Sequence, residues 1–364
     1  MMSNDERSNT MRKPTLSVIM GNYNDARYIG EALEAILSQT LRPAEVIVID
    51  DGSTDNSLEV IEEFVKKDGV IKLFKNDVNK GVLFTYTRGL GIASGDYVYI
   101  ASANDMVLPG FFEKSMNLLS QYPQAGLCYA ELKASDGREY KYYLSKEPRY
   151  FSVDELTVTS RQRGCFYASG INGIIRRDVL MQGAFAPQVG YIFDVFAAMT
   201  AGIRHGVCYI PEIMVSIRML PDSYSASLKR QGQALRRTLS GILLLLDTPA
   251  YEDVSAWIRE TGVWPVFFPS MLCLLLKDRR YWRYLSLSVV RRALWRGLRE
   301  TVGRVLPLRA KKFSFAVCNA YRRLVLARVD RGVSGTCRCD ACSGSHNAVG
   351  FRNRRHVTQD RVLR

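Results

Sequence analysis

Over the first two-thirds of the chain, short apolar runs alternate with stretches whose apolar residues return every three or four positions. Residues 16–20, 45–49, 70–74 and 97–101 crowd β-branched and aromatic side chains together and read as strands. Between them, Ile29, Ala32, Leu33, Ile36 and Leu37, and then Leu58, Ile61 and Phe64, recur at helical spacing. Asn24 or Asp25 stands where it can cap the first of these helices. A glycine-punctuated segment, 85–91, leads to the fourth strand. Its Gly89-x-Gly91-x-x-x-Gly95 spacing precedes a strand instead of following one, which disfavours a dinucleotide fingerprint. Pro109 is placed to open a helix after residues 106–108. Further on come a strand over 125–131, a weakly patterned polar-aromatic stretch over 139–163 expected as loops with short pieces, and a strand over 171–175. A helix opens at Gly190–Asp194 and runs to about Gly202, followed by short strands over 207–210 and 214–217 around Pro211 and a loop from Arg218 to Ser227.

Strands alternating with helices predict an α/β fold with a mostly parallel sheet and right-handed crossovers. Two acidic clusters, Asp50-Asp51 and Asp105, then fall at carboxyl ends of strands, where open α/β sheets bind their ligands. This placement alone suggests a nucleotide site, with Asp105 as a ligand for a cation on a phosphate-bearing substrate. Asn104 beside it can also ligate a hard cation through its carbonyl, but brings no charge.

Composition changes the picture mainly in the last third. At 364 residues, 47% apolar and 24% charged, the chain is long enough for one large core or two modest ones. No uninterrupted apolar run approaches the roughly 20 residues of a membrane span, and residues 1–13 are polar, without a signal core. The expectation is a cytoplasmic protein with reduced cysteines. Cys128, Cys165, Cys208, Cys273 and Cys318 lie in apolar surroundings and read as small buried hydrophobes. The net charge of +14 is uneven: from Lys229 on there are 27 Lys and Arg against 9 Asp and Glu, a net of +18, leaving −4 for the rest. Such asymmetry points to an anionic partner for the basic part.

That basic part, 228–330, reads as helical. Trp282, Leu285, Leu294, Trp295, Leu298 and Val302 recur at helical spacing with Arg291, Arg292, Arg296 and Arg299 between them. An apolar face opposite an arginine face suits a helix lying on an anionic membrane surface, peripheral on the inner face of the cell membrane. The apolar segment 263–276 is too short to span. The alternative is a helical subdomain that buries the same face internally. Nucleic acid is disfavoured, because Arg279–Tyr284 interleaves aromatic and basic residues without any known module around it. Cys337, Cys339, Cys342 and His346 are soft ligands in a short span, though not at a standard zinc spacing. Residues 331–364 are Gly, Ser and Arg-rich and expected as a flexible tail. No Ser/His/Asp or Cys/His arrangement has supporting context.

The order of motifs carries a resemblance. Ser17-Val-Ile-Met-Gly-Asn-Tyr-Asn24, Glu45-Val-Ile-Val-Ile-Asp-Asp-Gly-Ser-Thr-Asp55 and Gly95-Asp-Tyr-Val-Tyr-Ile, followed by an acidic turn and Leu108-Pro109, resemble the family 2 glycosyltransferases. The resemblance covers about residues 14–227. It implies a GT-A fold, with 14–105 as the nucleotide-binding part and 106–227 as the acceptor part. It also implies an inverting enzyme that uses a nucleotide-diphosphate sugar and a divalent metal, Mg²⁺ or Mn²⁺, and acts on a glycan or lipid-linked acceptor in bacterial surface-polysaccharide assembly. By the same resemblance Tyr23 and Asp51 match positions that hold the base and ribose, and Arg88 matches a basic residue near the nucleotide or its phosphates. Asp105 with Asn104 matches the metal turn, and Asp194 the catalytic base. Arg218 is a second cationic candidate for the leaving diphosphate. Two departures stand out: Ser102-Ala103-Asn104-Asp105 replaces the family's usual Asp-x-Asp-Asp, and the Gln-x-x-Arg-Trp signature of processive synthases is absent. A degenerate relative that binds a nucleotide sugar or a partner without turnover is the alternative. For single residues the plainer readings are helix caps for Asp51, Asp105 and Asp194, a solvated arginine for Arg88 and a packing aromatic for Tyr23.

Overall fold

The computed structural model describes residues 13–142, 144–183, 185–220, 232–264, 268–286 and 289–290. Four parallel strands form its first half: β1 (Leu16–Asn22), β2 (Glu45–Asp50), β3 (Ile71–Lys75) and β4 (Tyr97–Ser102), ordered β3-β2-β1-β4. The sheet continues past β4 through β9 (Gly173–Arg176), β6 (Leu127–Ala134), β10 (Val207–Ile217) and the edge strand β5 (Met106–Val107). β9 runs against both β4 and β6, and β5 runs against β10; β6 and β10 are parallel. Short strands β7 (Glu139–Tyr140) and β8 (Arg149–Phe151) add to β6 and β10. The expected parallel sheet is present over β3-β2-β1-β4 and between β6 and β10, whereas β9 in its middle and β5, β7 and β8 at its margins run antiparallel, so the sheet as a whole is mixed.

Successive residues of a strand face opposite sides of a sheet, and the two cores divide accordingly. Val18 and Met20 of β1 join Val46 and Val48 of β2 beneath α1 (Ala26–Leu37), α2 (Ser57–Lys67) and α4 (Phe111–Gln121). Ile19, Ile47, Ile49, Val98 and Ile100 face the other way. On that side lie α3 (Val82–Ile92), α5 (Val153–Arg163), α6 (Arg177–Met181) and α7 (Phe193–His205). The same core takes in α8 (Gly232–Leu246), α9 (Glu252–Thr261) and α10 (Phe268–Lys277) through Leu239, Leu243, Trp257, Met271 and Leu275. The basic region therefore begins as part of the domain's packing: Trp257 donates to Thr157 Oγ1 at 2.9 Å, and Arg204 pairs with Asp253 at 2.7 Å.

Several elements differ from expectation. The glycine-punctuated segment 85–91, to which the sequence pattern assigns no element, is inside helix α3. Its glycine is needed there, since a Cβ at Gly89 would stand 2.3 Å from Ile19 Cγ2. In the stretch expected as loops, α5 forms behind a capping box in which Ser152 Oγ accepts from Glu155 N and Glu155 Oε2 from Ser152 N. Residues 106–107 form β5, and α4 starts at Phe111 behind Gly110 in a left-handed conformation (φ 83°), so Pro109 precedes the helix. Residues 207–217 form one strand across Pro211, with register shifts against β6 on either side of Ile213.

In the basic region, Arg279–Tyr284 is a short 3-10 turn capped by Asp278, with Tyr281 and Tyr284 buried and Trp282 exposed. Arg280 pairs with Asp278, and Arg283 with Asp247. Of the scattered cysteines, Cys128 and Cys208 are buried as expected, whereas Cys273 is exposed. Arg291–Arg299, Cys318, Cys337, Cys339, Cys342, His346 and the expected tail lie outside the described residues. Among the described residues no helix is long and apolar enough to cross a membrane.

Candidate active site

The carboxyl ends of β1, β2 and β4 meet in one place, each followed by a polar turn. Asn22, the last residue of β1, donates through Nδ2 to Asp50 Oδ1 at 2.7 Å and to Ser53 Oγ at 3.1 Å. Asn24 sits at φ 56°, a left-handed position that Asn tolerates. Its Oδ1 accepts from Thr54 N at 2.7 Å. In return Asp55 Oδ2 accepts from Ala26 N at 3.0 Å, serving the start of α1. Asp25 makes no side-chain cap bond, so the capping expected of Asn24 or Asp25 falls to a residue of the neighbouring turn.

Asp51 is buried and taken up by its surroundings. Oδ1 accepts from Asn76 Nδ2 and Lys80 N, and Oδ2 from Gly81 N, all at 2.8 Å. It thereby shapes the loop between β3 and α3. Gly52 lets that loop approach, since its φ is 73° and a Cβ there would stand 2.7 Å from the Val78 backbone. Arg88 lies behind this loop: its guanidinium donates to the carbonyl of Lys75 and to Asn76 Oδ1, whose amide holds Asp51. Tyr23 is 45% exposed at the mouth of the site and does not serve as core.

The turn after β4 is bound to the end of β10. Arg218 N donates to Asp105 Oδ1 at 2.7 Å. The Arg218 guanidinium reaches the Asn104 carbonyl at 2.9 Å, pairs with Glu31 and lies over the Tyr28 ring at 4.9 Å from its centroid. Burial pushes the Asp105 carboxyl up to about 6, against the Arg218 backbone N–H and guanidinium, which favour its charge. Asn104 Oδ1 accepts from Ser102 Oγ at 2.8 Å, and its Nδ2 faces the two oxygens of Asp25 at 3.4 and 3.3 Å. The carbonyl expected to be offered to a cation is thus engaged with Ser102. Burial also raises the Asp25 carboxyl, while the Asn104 amide and Arg218 pull it down and Asp55 opposes them.

Asp194 stands in the first turn of α7. Burial pushes its carboxyl up to about 6 as well, although the backbone N–H groups of Val195, Gly170 and Asp194 itself favour the ionised form. Gly170 is packed between strand and helix: a Cβ there would come within 2.8 Å of Ile100 Cδ1 and 3.1 Å of Asp194 Cβ. Asp194 is therefore set beside Ile100 of β4. Tyr86 of α3 marks the centre. Its hydroxyl donates to the Ala101 carbonyl at 2.6 Å, and its ring lies 5.2 Å from that of Phe193. Burial raises the Tyr86 hydroxyl far above its ordinary range, and Asp194, Asp105 and Asp25 all add to the rise.

Asp25, Asn104, Asp105, Asp194 and Arg218 are thus brought together, with Tyr23 and Asp51 on the flank and Arg88 behind Asn76. Asp25 and Tyr86 escaped the sequence reading. Asp25 resembled a helix cap, and Tyr86 lay in a segment not read as helix.

The family described as Glycosyl transferase family 2 matches residues 17–183. An uncharacterised glycosyltransferase of Haemophilus influenzae is 36% identical over 111 residues, 30% of this chain and 44% of that protein. The glycosyltransferase GlyG of Streptococcus pneumoniae is 30% identical over 154 residues, 41% of this chain and 50% of GlyG. The matches span about half the length of these curated relatives or less. Among solved structures, S. aureus TarS residues 1–349 in complex with UDP-GlcNAc superposes with a TM-score of 0.53 at 17% identity, covering 68% of this chain and 72% of that one. The mannosyltransferase PcManGT of Pyrobaculum calidifontis, in complex with GDP-Man and Mn²⁺, gives 0.50 at 16%, covering 86% and 81%. At such identities these two likenesses speak for the fold. Together with the family match they agree with the Asp-Asp-Gly-Ser turn and the sheet order, and over residues 17–183 the chain is a family 2 glycosyltransferase domain of the GT-A fold.

Proposed function

We propose that the protein transfers a sugar from a nucleotide-diphosphate donor to a glycan or lipid-linked acceptor with inversion, in the assembly of a bacterial surface polysaccharide at the inner face of the membrane. The observation that carries this reading is that Asp25 and Asp105 meet at the turn after β4, through Asn104 and Arg218, while Asp194 stands beside Ile100 of the same strand and Tyr86 bonds the Ala101 carbonyl. The acceptor hydroxyl attacks the anomeric carbon as the bond to the diphosphate oxygen breaks. The hydroxyl proton passes to Asp194, whose carboxyl near 6 suits a base working near neutrality. Tyr23 and Asp51 flank the place for the nucleoside, and Arg88 steadies Asp51 through Asn76. Arg218 supplies positive charge where the diphosphate leaves, once it turns from Glu31.

A divalent cation suits this turn in its donor chemistry. Asp105 offers hard carboxylate oxygens, the Asn104 amide oxygen could join them only by leaving Ser102, and Mg²⁺ typically takes one or two carboxylates together with substrate phosphates. Among the described residues no three His, Cys, Asp or Glu side chains are grouped to hold a metal on their own. When bound there, the cation would neutralise charge on the leaving diphosphate. A binding protein without turnover is the second reading, favoured by the engagement of the Asn104 carbonyl with Ser102 and of Arg218 with Glu31. Screening nucleotide sugars for binding and for hydrolysis, with and without Mn²⁺, separates the two. Hydrolysis dependent on Asp105 and Asp194 is the expected result, and tight binding without any turnover supports the second.

A further inference from the structure

The turn after β4 has a single carboxylate, yet a second one faces it from another part of the chain. We propose that Asp25, from the turn between β1 and α1, is a ligand of the divalent cation that accompanies a nucleoside diphosphate here, with Asn104 as the neutral spacer that lets Asp25 and Asp105 stand side by side. This rests on the metal-dependent reading given above.

Three observations support it. First, Asp25 occupies the N-cap position of α1, yet its side chain makes no cap bond, and the Ala26 N–H at the start of the helix goes to Asp55. Its carboxylate is directed toward Asn104. Second, Asn104 is oriented from both ends: Ser102 Oγ donates to Oδ1 at 2.8 Å, and Nδ2 faces Asp25 Oδ2 at 3.3 Å and Oδ1 at 3.4 Å. These last contacts are longer than the usual 2.7–3.2 Å for N–H···O. The amide neighbours the carboxylate without saturating it, so a cation can compete for its oxygens. Third, an aspartate at position 104 would set two carboxylates against each other at this distance, a repulsion that a proton or a bound cation has to relieve. An amide there spares the free protein that cost. The carboxylate missing from Ser102-Ala103-Asn104-Asp105 is displaced to residue 25.

The test is Mn²⁺ binding to the full chain, measured by the loss of the free-ion electron paramagnetic resonance signal, alone and in the presence of UDP or GDP. Asp25→Asn is isosteric, and thermal melting of each variant checks that it folds. The expected result is that Asp25→Asn weakens Mn²⁺ binding about tenfold or more, as Asp105→Asn does. The exchange variant Asp25→Asn/Asn104→Asp, which returns the carboxylate to the turn, recovers most of the loss. The proposal is overturned if Asp25→Asn binds like the parent while Asp105→Asn does not, or if the exchange variant is no tighter than Asp25→Asn. If Asp105→Asn also binds like the parent, or the parent binds no Mn²⁺ in any of the three conditions, the metal reading beneath it fails too.

Discussion

The two edges of the central sheet treat their acidic residues in opposite ways. At the amino end of β2, Glu45 is buried, and its Oε1 accepts from Ser17 Oγ and Ser94 N at 2.7 Å and Ser94 Oγ at 2.8 Å. Lys72 reaches Oε2 at 2.7 Å. Burial alone would raise this carboxyl, but these donors hold it at about 2. At the carboxyl edge, burial prevails, and Asp105 and Asp194 are both pushed up to about 6. The first arrangement ties β1, β2, β3 and the start of β4 together. The second leaves carboxylates under-compensated in the free protein, where a cation, a diphosphate or a transferable proton can relieve them. One end serves stability, and the other is where the proposed reaction takes place.

The sharpest way to break this contrast is to neutralise its chemical edge. Asp105→Asn is expected to lower sugar transfer by about a hundredfold or more while leaving the melting temperature unchanged or higher. A variant that melts far below its parent would place Asp105 on the structural side. At the other edge, Glu45→Gln is expected to cost about 2 kcal/mol in denaturant unfolding at pH 7. The sign follows from the lowered carboxyl: its stabilisation is complete above about 4.5 and is lost as the pH falls through about 2. The gap between variant and parent should therefore shrink below pH 4. Asp194→Asn should do the reverse. A carboxyl raised to about 6 favours folding when protonated and opposes it when ionised, so the variant should gain up to about 2 kcal/mol over its parent above pH 6 and little below pH 4. The smallest effect is expected of Arg88→Met, which leaves Asn76 without one partner: nucleotide-sugar binding measured by calorimetry should weaken by about 1 kcal/mol.

Much of this was legible in the sequence, for identifiable reasons. β1, β2 and β4 are continuous apolar runs because both faces of each are covered, and the polar turns at their ends announced themselves by composition. Asp51, Asp105 and Asp194 could be named because each follows or opens a regular element. The parts that were not legible depend on contacts across the fold. Helix α3 was obscured by Gly89 and Gly91, although Gly89 is what allows the helix to lie on Ile19. Helix α5 had a readable signal in Ser152 and Glu155 that its polar surroundings hid. The position of Asp25 opposite Asn104 spans 79 residues of sequence and arises only when β1 pairs with β4. No local pattern encodes it.

In the proposed reaction Asp194 takes the acceptor's proton. The most direct test is the initial rate of donor turnover against pH, from about 5 to 8, for the wild-type chain and Asp194→Asn with Mn²⁺ present. The predicted result is a wild-type rate that climbs through about pH 6 to a plateau, and a variant about a hundredfold slower or more that shows no such rise. A variant that keeps the wild-type rate, or that rises through the same pH, would contradict it.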